Sequence, residues 1–270
     1  MRSTFLAVLV TLLAPAIFGE QLKPATVAAF DRYVRFSEQR MAGEERTRAF
    51  LKLDSLPAAQ AAVARTQMKN GEVVIDRLET RDSGRVIAVP DGLIHHWVGT
   101  VFVPGVTLAQ TVAFLQDYDH QTKYYAPDVE RSRLVARNGN DFKVFLRLRK
   151  KKIVTAVLDT DYDVMYRSLG AERAVCRSVS TRIAEVENAG TKNESEKPVG
   201  NDSGFMWRLN SYWRFEQREG GTYVQLEAIS LTRDIPAGLS WLVAPFVNSI
   251  PRESLEFTLG RTRDGLMRGK

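Results

Sequence analysis

The chain has one cysteine, Cys176, and three histidines, His95, His96 and His120, among 270 residues. A single thiol excludes an internal disulfide framework and a thiolate-rich zinc site. Beyond residue 18 no apolar stretch reaches the roughly 20 residues that a membrane-spanning helix needs. The charge excess is small, 38 Lys+Arg against 32 Asp+Glu, or +6. Such an excess falls short of the broad basic surface, interleaved with aromatics, that nucleic-acid binding uses. No GxSxG elbow, HExxH helix or glycine-rich phosphate loop followed by lysine occurs, so no cofactor is expected. What remains is 44% hydrophobic and 26% charged residues, the composition of a folded globular chain.

The first twenty residues, MRSTFLAVLVTLLAPAIFGE, have the three parts of a secretory signal peptide. Arg2 supplies the basic start, an apolar run extends from Phe5 to Phe18, and small residues precede cleavage after Gly19 or Ala16. The run is short for a spanning helix, and Pro15 sits near its end. The expectation is export to the periplasm or the extracellular space, with residues 1–19 removed.

Residues 20–90 read as an N-terminal helical segment. Val27, Phe30 and Val34 mark the stripe of a helix over 24–42, and alanines favour a second over 56–69. Apolar runs at 73–78 and 85–89, separated by Arg81-Asp82-Ser83-Gly84, suggest a hairpin or paired strands. Whether this segment stands apart or packs on the remainder is left open. In 91–270 the order is a strand (93–103), a helix (107–118) with a shorter one to 125, six strands (130–136, 142–149, 153–166, 173–183, 205–216, 222–232) and a helical region over 239–267, broken or kinked at Pro251. Short links between the six strands require an antiparallel meander. Leu255, Leu259, Thr262 and Leu266 fall on one helical face.

This order resembles the helix-grip fold of the START-like, or Bet v 1-like, superfamily, with its SRPBCC polyketide cyclase/dehydrase and lipid-transport branches. The stretch FLQDYDHQTKYYAPDVERSRLV is similar to the segment after the first strand in that group, at Asp117, Tyr118, Tyr125, Pro127 and Val129. The resemblance covers residues of about 92–268. It implies an α+β fold, a curved seven-stranded antiparallel sheet around a long C-terminal helix, here with an extra N-terminal helical segment. It also implies an internal cavity that holds a hydrophobic, lipid-like molecule.

Alternation shows what such a cavity would offer. Trp207, Leu209, Trp213 and Phe215 share one face of their strand, and Phe142, Val144 and Leu146 repeat the pattern on another. Trp241, Phe246, Leu255 and Leu259 would supply the helix side. His95 and His96, adjacent on a strand, point to opposite faces, so one faces the cavity; the alternation does not say which. With Asp117 and Tyr162 as company, that histidine would be the acid or base of a cyclase- or aromatase-like enzyme. The first expectation is binding and transport of a hydrophobic ligand without covalent chemistry. A third reading is a non-catalytic partner-binding or structural module, its groove filled or capped by the N-terminal helices.

The densest basic run is Arg147, Arg149, Lys150, Lys151 and Lys152, at an expected hairpin tip. There it would give transient contact with an anionic membrane surface. Asp159, Asp161 and Asp163 alternate along the next strand and span roughly 13 Å, too far to converge on one metal ion. Set beside Lys143, Arg147 and Arg149, they would form a cross-strand charge ladder.

Overall fold

The computed structural model describes residues 20–152, 155–234 and 240–269, with only the backbone described for residue 20 and for 240–248. The expected signal peptide at 1–19 lies outside them. A short strand, β1 (Glu20–Gln21), leads into α1 (Pro24–Glu45), where Pro24 occupies a first-turn position that needs no N–H. A 3-10 turn at Lys52–Ser55 precedes α2 (Ala58–Lys69). Three small strands follow, β2 (Val74–Arg77), β3 (Arg81–Asp82) and β4 (Arg85–Val86). Then come β5 (Gly92–Pro104), α3 (Leu108–Gln116) and α4 (Thr122–Tyr125). Thr107 and Gln110 start α3 with a reciprocal capping box.

The meander consists of β6 (Val129–Asn138), β7 (Asp141–Lys151), β8 (Thr155–Ser168) and β9 (Arg173–Glu187). After the short β10 (Ser195–Glu196) and β11 (Asn201–Asp202) it resumes with β12 (Arg208–Arg218) and β13 (Gly221–Arg233). The chain then enters α5 (Ser240–Arg268). The main sheet has the order β2-β5-β13-β12-β9-β8-β7-β6, with β10 beside β9. Irregular register at Val129/Arg131, Leu134/Ala136 and Asp161/Tyr162 bends the strands.

Two expectations are corrected here. The run at 73–78 does not pair with 85–89: β2 satisfies the free edge of β5, extending the seven expected strands, while β4 closes a tiny hairpin with β3. The C-terminal helix does not break at Pro251. It runs unbroken from Ser240 to Arg268, with Lys152 paired to Glu253 at 2.6 Å and the buried Leu255 and Leu259 seated on the sheet in the turns after the proline.

The sheet is covered on both faces. The inner face packs against α5, with Val101, Val103, Phe215, Val224 and Leu226 meeting Leu255, Leu259 and Leu266. The outer face is covered by the N-terminal segment, through Phe30, Tyr33 and Met41 on Ile229 and Leu231, and through Phe50, Leu51 and Met68 on Phe102 and Tyr223. Several polar groups on that face are paired as they are buried. Arg214 donates to Phe50 O at 2.6 Å and forms an ion pair with Glu44, while Tyr212 donates to Glu38 at 2.8 Å. The segment left open by the sequence is thus a layer on the sheet.

Candidate ligand site on the inner face

One end of the inner face is closed by aromatic rings. The Tyr118 and Tyr166 hydroxyls share a hydrogen bond of 2.8 Å, and Phe142 meets both rings edge-on at 5.6 and 5.4 Å. Tyr125 joins α4 to α5 through Thr262 at 2.8 Å. Burial raises the Cys176 thiol to about 12, which keeps it protonated and unreactive.

β12, near the middle of the sheet, is looser. Along β12 the inward residues Leu209, Ser211 and Trp213 are half-buried, and full burial begins at Phe215. The outward residues Asn210, Tyr212, Arg214 and Glu216 of the same strand are all buried. Leu146 on β7 and Trp97 on β5, also inward, are half-buried. Apolar side chains therefore keep accessible surface on the face turned toward α5.

Of the residues expected at the cavity, Phe142, Val144, Leu146, Leu209, Trp213, Phe215, Leu255 and Leu259 come together in this inner cluster. Trp207 does not. It precedes the first residue of β12, so the ladder no longer dictates its direction; it packs with Phe30, Tyr33, Ile229 and Leu231 on the outer face and donates to Asp202 at 3.0 Å. The side chains of Trp241 and Phe246 lie outside those described.

The polar candidates are not assembled. His95 is the histidine of the inner face, tied to the Thr232 hydroxyl at 3.1 Å, and burial, with the charge of Arg77, pulls its pKa to about 4. His96 faces outward to Tyr33 and Glu227. Asp117 is at the surface, paired with His120 at 2.7 Å. Tyr162 is buried in the inner cluster, and that burial lifts its hydroxyl to about 12. No hydrogen bond among the described residues links His95 to Asp117 or to Tyr162.

The basic run is likewise not an open cationic patch. Arg147 is buried, corrected from the exposed tip expected of it, because it makes two bonds of 2.7 Å to Asp159 across the ladder and one of 2.8 Å to Glu194. Arg149 pairs with Glu130, Lys150 with Asp128 at 2.7 Å and Lys152 with Glu253. Lys151 is exposed and makes no ion pair among the described residues. The aspartates alternating on β8 each have a cation of their own, Arg147 for Asp159, Arg182 for Asp161 and Lys143 for Asp163.

No protein-family model matches the chain. No curated protein matches it either. Similar solved structures include the STAR-related lipid transfer protein of Xanthomonas axonopodis, 17% identical with a TM-score of 0.47 over 71% of this chain and 98% of that one. Human STARD10 is 12% identical, with a TM-score of 0.45 over 79% of this chain and 81% of that one. The Zhui aromatase/cyclase from Streptomyces sp. R1128 is 9% identical, with a TM-score of 0.44 over 65% and 95%. Such scores say nothing of activity, and the order of the elements decides the fold: one strand, short helices, six antiparallel strands and a long helix on the inner face. The fold is START-like.

Within this START-like frame the sequence missed several inner-face residues. Trp97 follows from the alternation of β5, since it lies two residues beyond the inward His95. Ser211 lies between Leu209 and Trp213 on the same face of β12 and is itself half-buried. The Tyr118–Tyr166 bond joins a helical turn to β8 across 48 residues, and nothing local announces it.

Proposed function

We propose that the chain binds a hydrophobic, lipid-like molecule between the inner face of the sheet and α5, and carries it without covalent chemistry. The observation behind this reading is the unequal burial along β12. Leu209, Ser211 and Trp213 keep accessible surface on the inner face, although their outward neighbours are buried. Apolar walls with few convergent polar groups suit a ligand held by buried area, at roughly 25 cal/mol per Å². The separation of His95, Asp117 and Tyr162 from one another argues for carriage rather than acid–base chemistry.

Export belongs to the same reading, on the pattern of residues 1–19. Native mass spectrometry of gently purified protein tests the proposal. A mass increment matching a co-purified lipid, released by organic solvent, is the expected result. A chain that carries nothing and takes up neither phospholipid nor fatty acid would refute it.

A further inference from the structure

On the outer face, away from the lipid site, α1, the 3-10 turn and the sheet enclose a polar pocket of about 150 Å³. Leu78 and Val98 give it an apolar part, and Arg40, Glu44, Lys52, Glu79, His96, Gln225 and Glu227 line the remainder. Behind it runs a closed relay. The Tyr33 hydroxyl accepts the Thr80 N–H and donates to His96 Nδ1 at 2.9 Å, so that His96 Nε2–H donates to Glu227 at 2.6 Å. Burial pushes the Glu227 carboxyl up, but the bond from His96 and the charge of Arg40 outweigh it and hold the group ionised.

Two donors are left over. Gln225 is 1% exposed, and its Oε1 is fixed as the acceptor by the Lys52 N–H at 2.7 Å and the Thr100 hydroxyl at 3.3 Å. Its NH₂ group has no hydrogen-bond partner among the described residues, yet it is not sealed from the pocket that Gln225 lines. A buried amide in that state calls for an acceptor within the pocket. Lys52 also lines the pocket, and its ammonium makes no ion pair among the described residues.

The three carboxylates are already compensated. Glu227 is paired with Arg40, Glu44 with Arg40 and Arg214, and Glu79 with Arg81. Arg81 and Arg214 lie outside the lining, which itself carries two cations, Arg40 and Lys52, and these three carboxylates; since each carboxylate is held by an arginine, Lys52 is the lining charge without an ion pair among the described residues. We propose that this pocket is a second ligand site, built by the N-terminal layer, that takes a small carboxylate whose oxygens accept from the Gln225 NH₂ and the Lys52 ammonium.

Two-dimensional ¹H–¹⁵N NMR of the full chain tests this, with sodium acetate and sodium lactate as probes and lactamide as the uncharged control. The Gln225 side-chain amide pair is expected to shift saturably with at least one carboxylate, and lactamide to bind about tenfold more weakly or worse. Gln225→Glu keeps the acceptor used by Lys52 and Thr100 but turns the donor into an anionic oxygen. It is expected to weaken carboxylate binding about tenfold or more, followed on backbone amides around the pocket. Should that variant not fold, Lys52→Gln on the half-exposed side is expected to give the same loss. No saturable shift with either carboxylate, or an equal response to lactamide, overturns the proposal.

Discussion

Gly99 on β5 lies directly beneath Leu259 of α5, so closely that a Cβ at Gly99 would stand 2.6 Å from Leu259 Cδ1 and 3.3 Å from Leu255 Cδ2. The long helix reaches the sheet here because one strand presents no side chain. Leu259 is itself fully buried and has little room to give way. Gly99→Val is therefore expected to lower stability by about 2 kcal/mol through overpacking, read from urea unfolding. A variant as stable as the parent would show that the helix does not bear on the strand at this point.

Arg147 and Asp159 form a buried, doubly bonded ion pair across β7 and β8. Arg147→Met would leave Asp159 buried without its cation, at an expected loss of about 3 kcal/mol. Adding Asp159→Leu should recover most of that loss, because no buried charge is then left unpaired and Glu194, the third partner, is half-exposed and keeps the Gly190 N–H at 2.7 Å. Neither change should alter binding to vesicles containing anionic lipid, since the guanidinium is not presented to solvent. A fall in vesicle binding without a loss of stability would contradict this account.

The inner-face histidine gives stability a pH dependence of defined sign. Burial, then the charge of Arg77, lowers His95 to about 4, against about 6.5 in an unfolded chain. Between those values the unfolded state binds the extra proton, so stability falls as pH drops from about 6.5 towards 4 and loses nothing further below it. The full contribution is roughly 3 kcal/mol. His95→Gln can keep the bond to Thr232 but does not titrate. The difference in unfolding free energy between about pH 7 and pH 4.5 should shrink in that variant by about 2 kcal/mol. An unchanged difference would count against a neutral, buried His95.

The main sheet was legible because its strands alternate over ten or more residues and end in Gly- or Asn-marked turns, as at Asn138–Asn140 and Gly220–Gly221. The outer layer was foreshadowed by β5 and β13, which are apolar or paired on both faces, as strands covered on two sides must be. Residues 20–90 supply the cover that this two-sided pattern requires, but no motif of their own names the sheet as their partner. Trp207 was misplaced by carrying the alternation of β12 one residue past its first ladder position. Arg147 was misplaced because a basic run at a turn is ordinarily solvated, and its third partner, Glu194, comes from a loop 47 residues away. Contacts of that range, like the Gln225 amide opening onto its pocket, depend on tertiary packing that no local pattern encodes.

The central claim is that the half-buried stretch of the inner face along β12, at Leu209, Ser211 and Trp213, holds an apolar ligand. Ser211→Trp adds bulk between those two residues without removing any existing contact of the outer layer. The direct test is equilibrium uptake of a fluorescent fatty acid by the parent chain and by Ser211→Trp, with circular dichroism confirming that both are folded. The account predicts saturable, one-to-one uptake by the parent and a loss of about tenfold or more in the variant. Equal uptake by two folded proteins, or none by the parent, would contradict it.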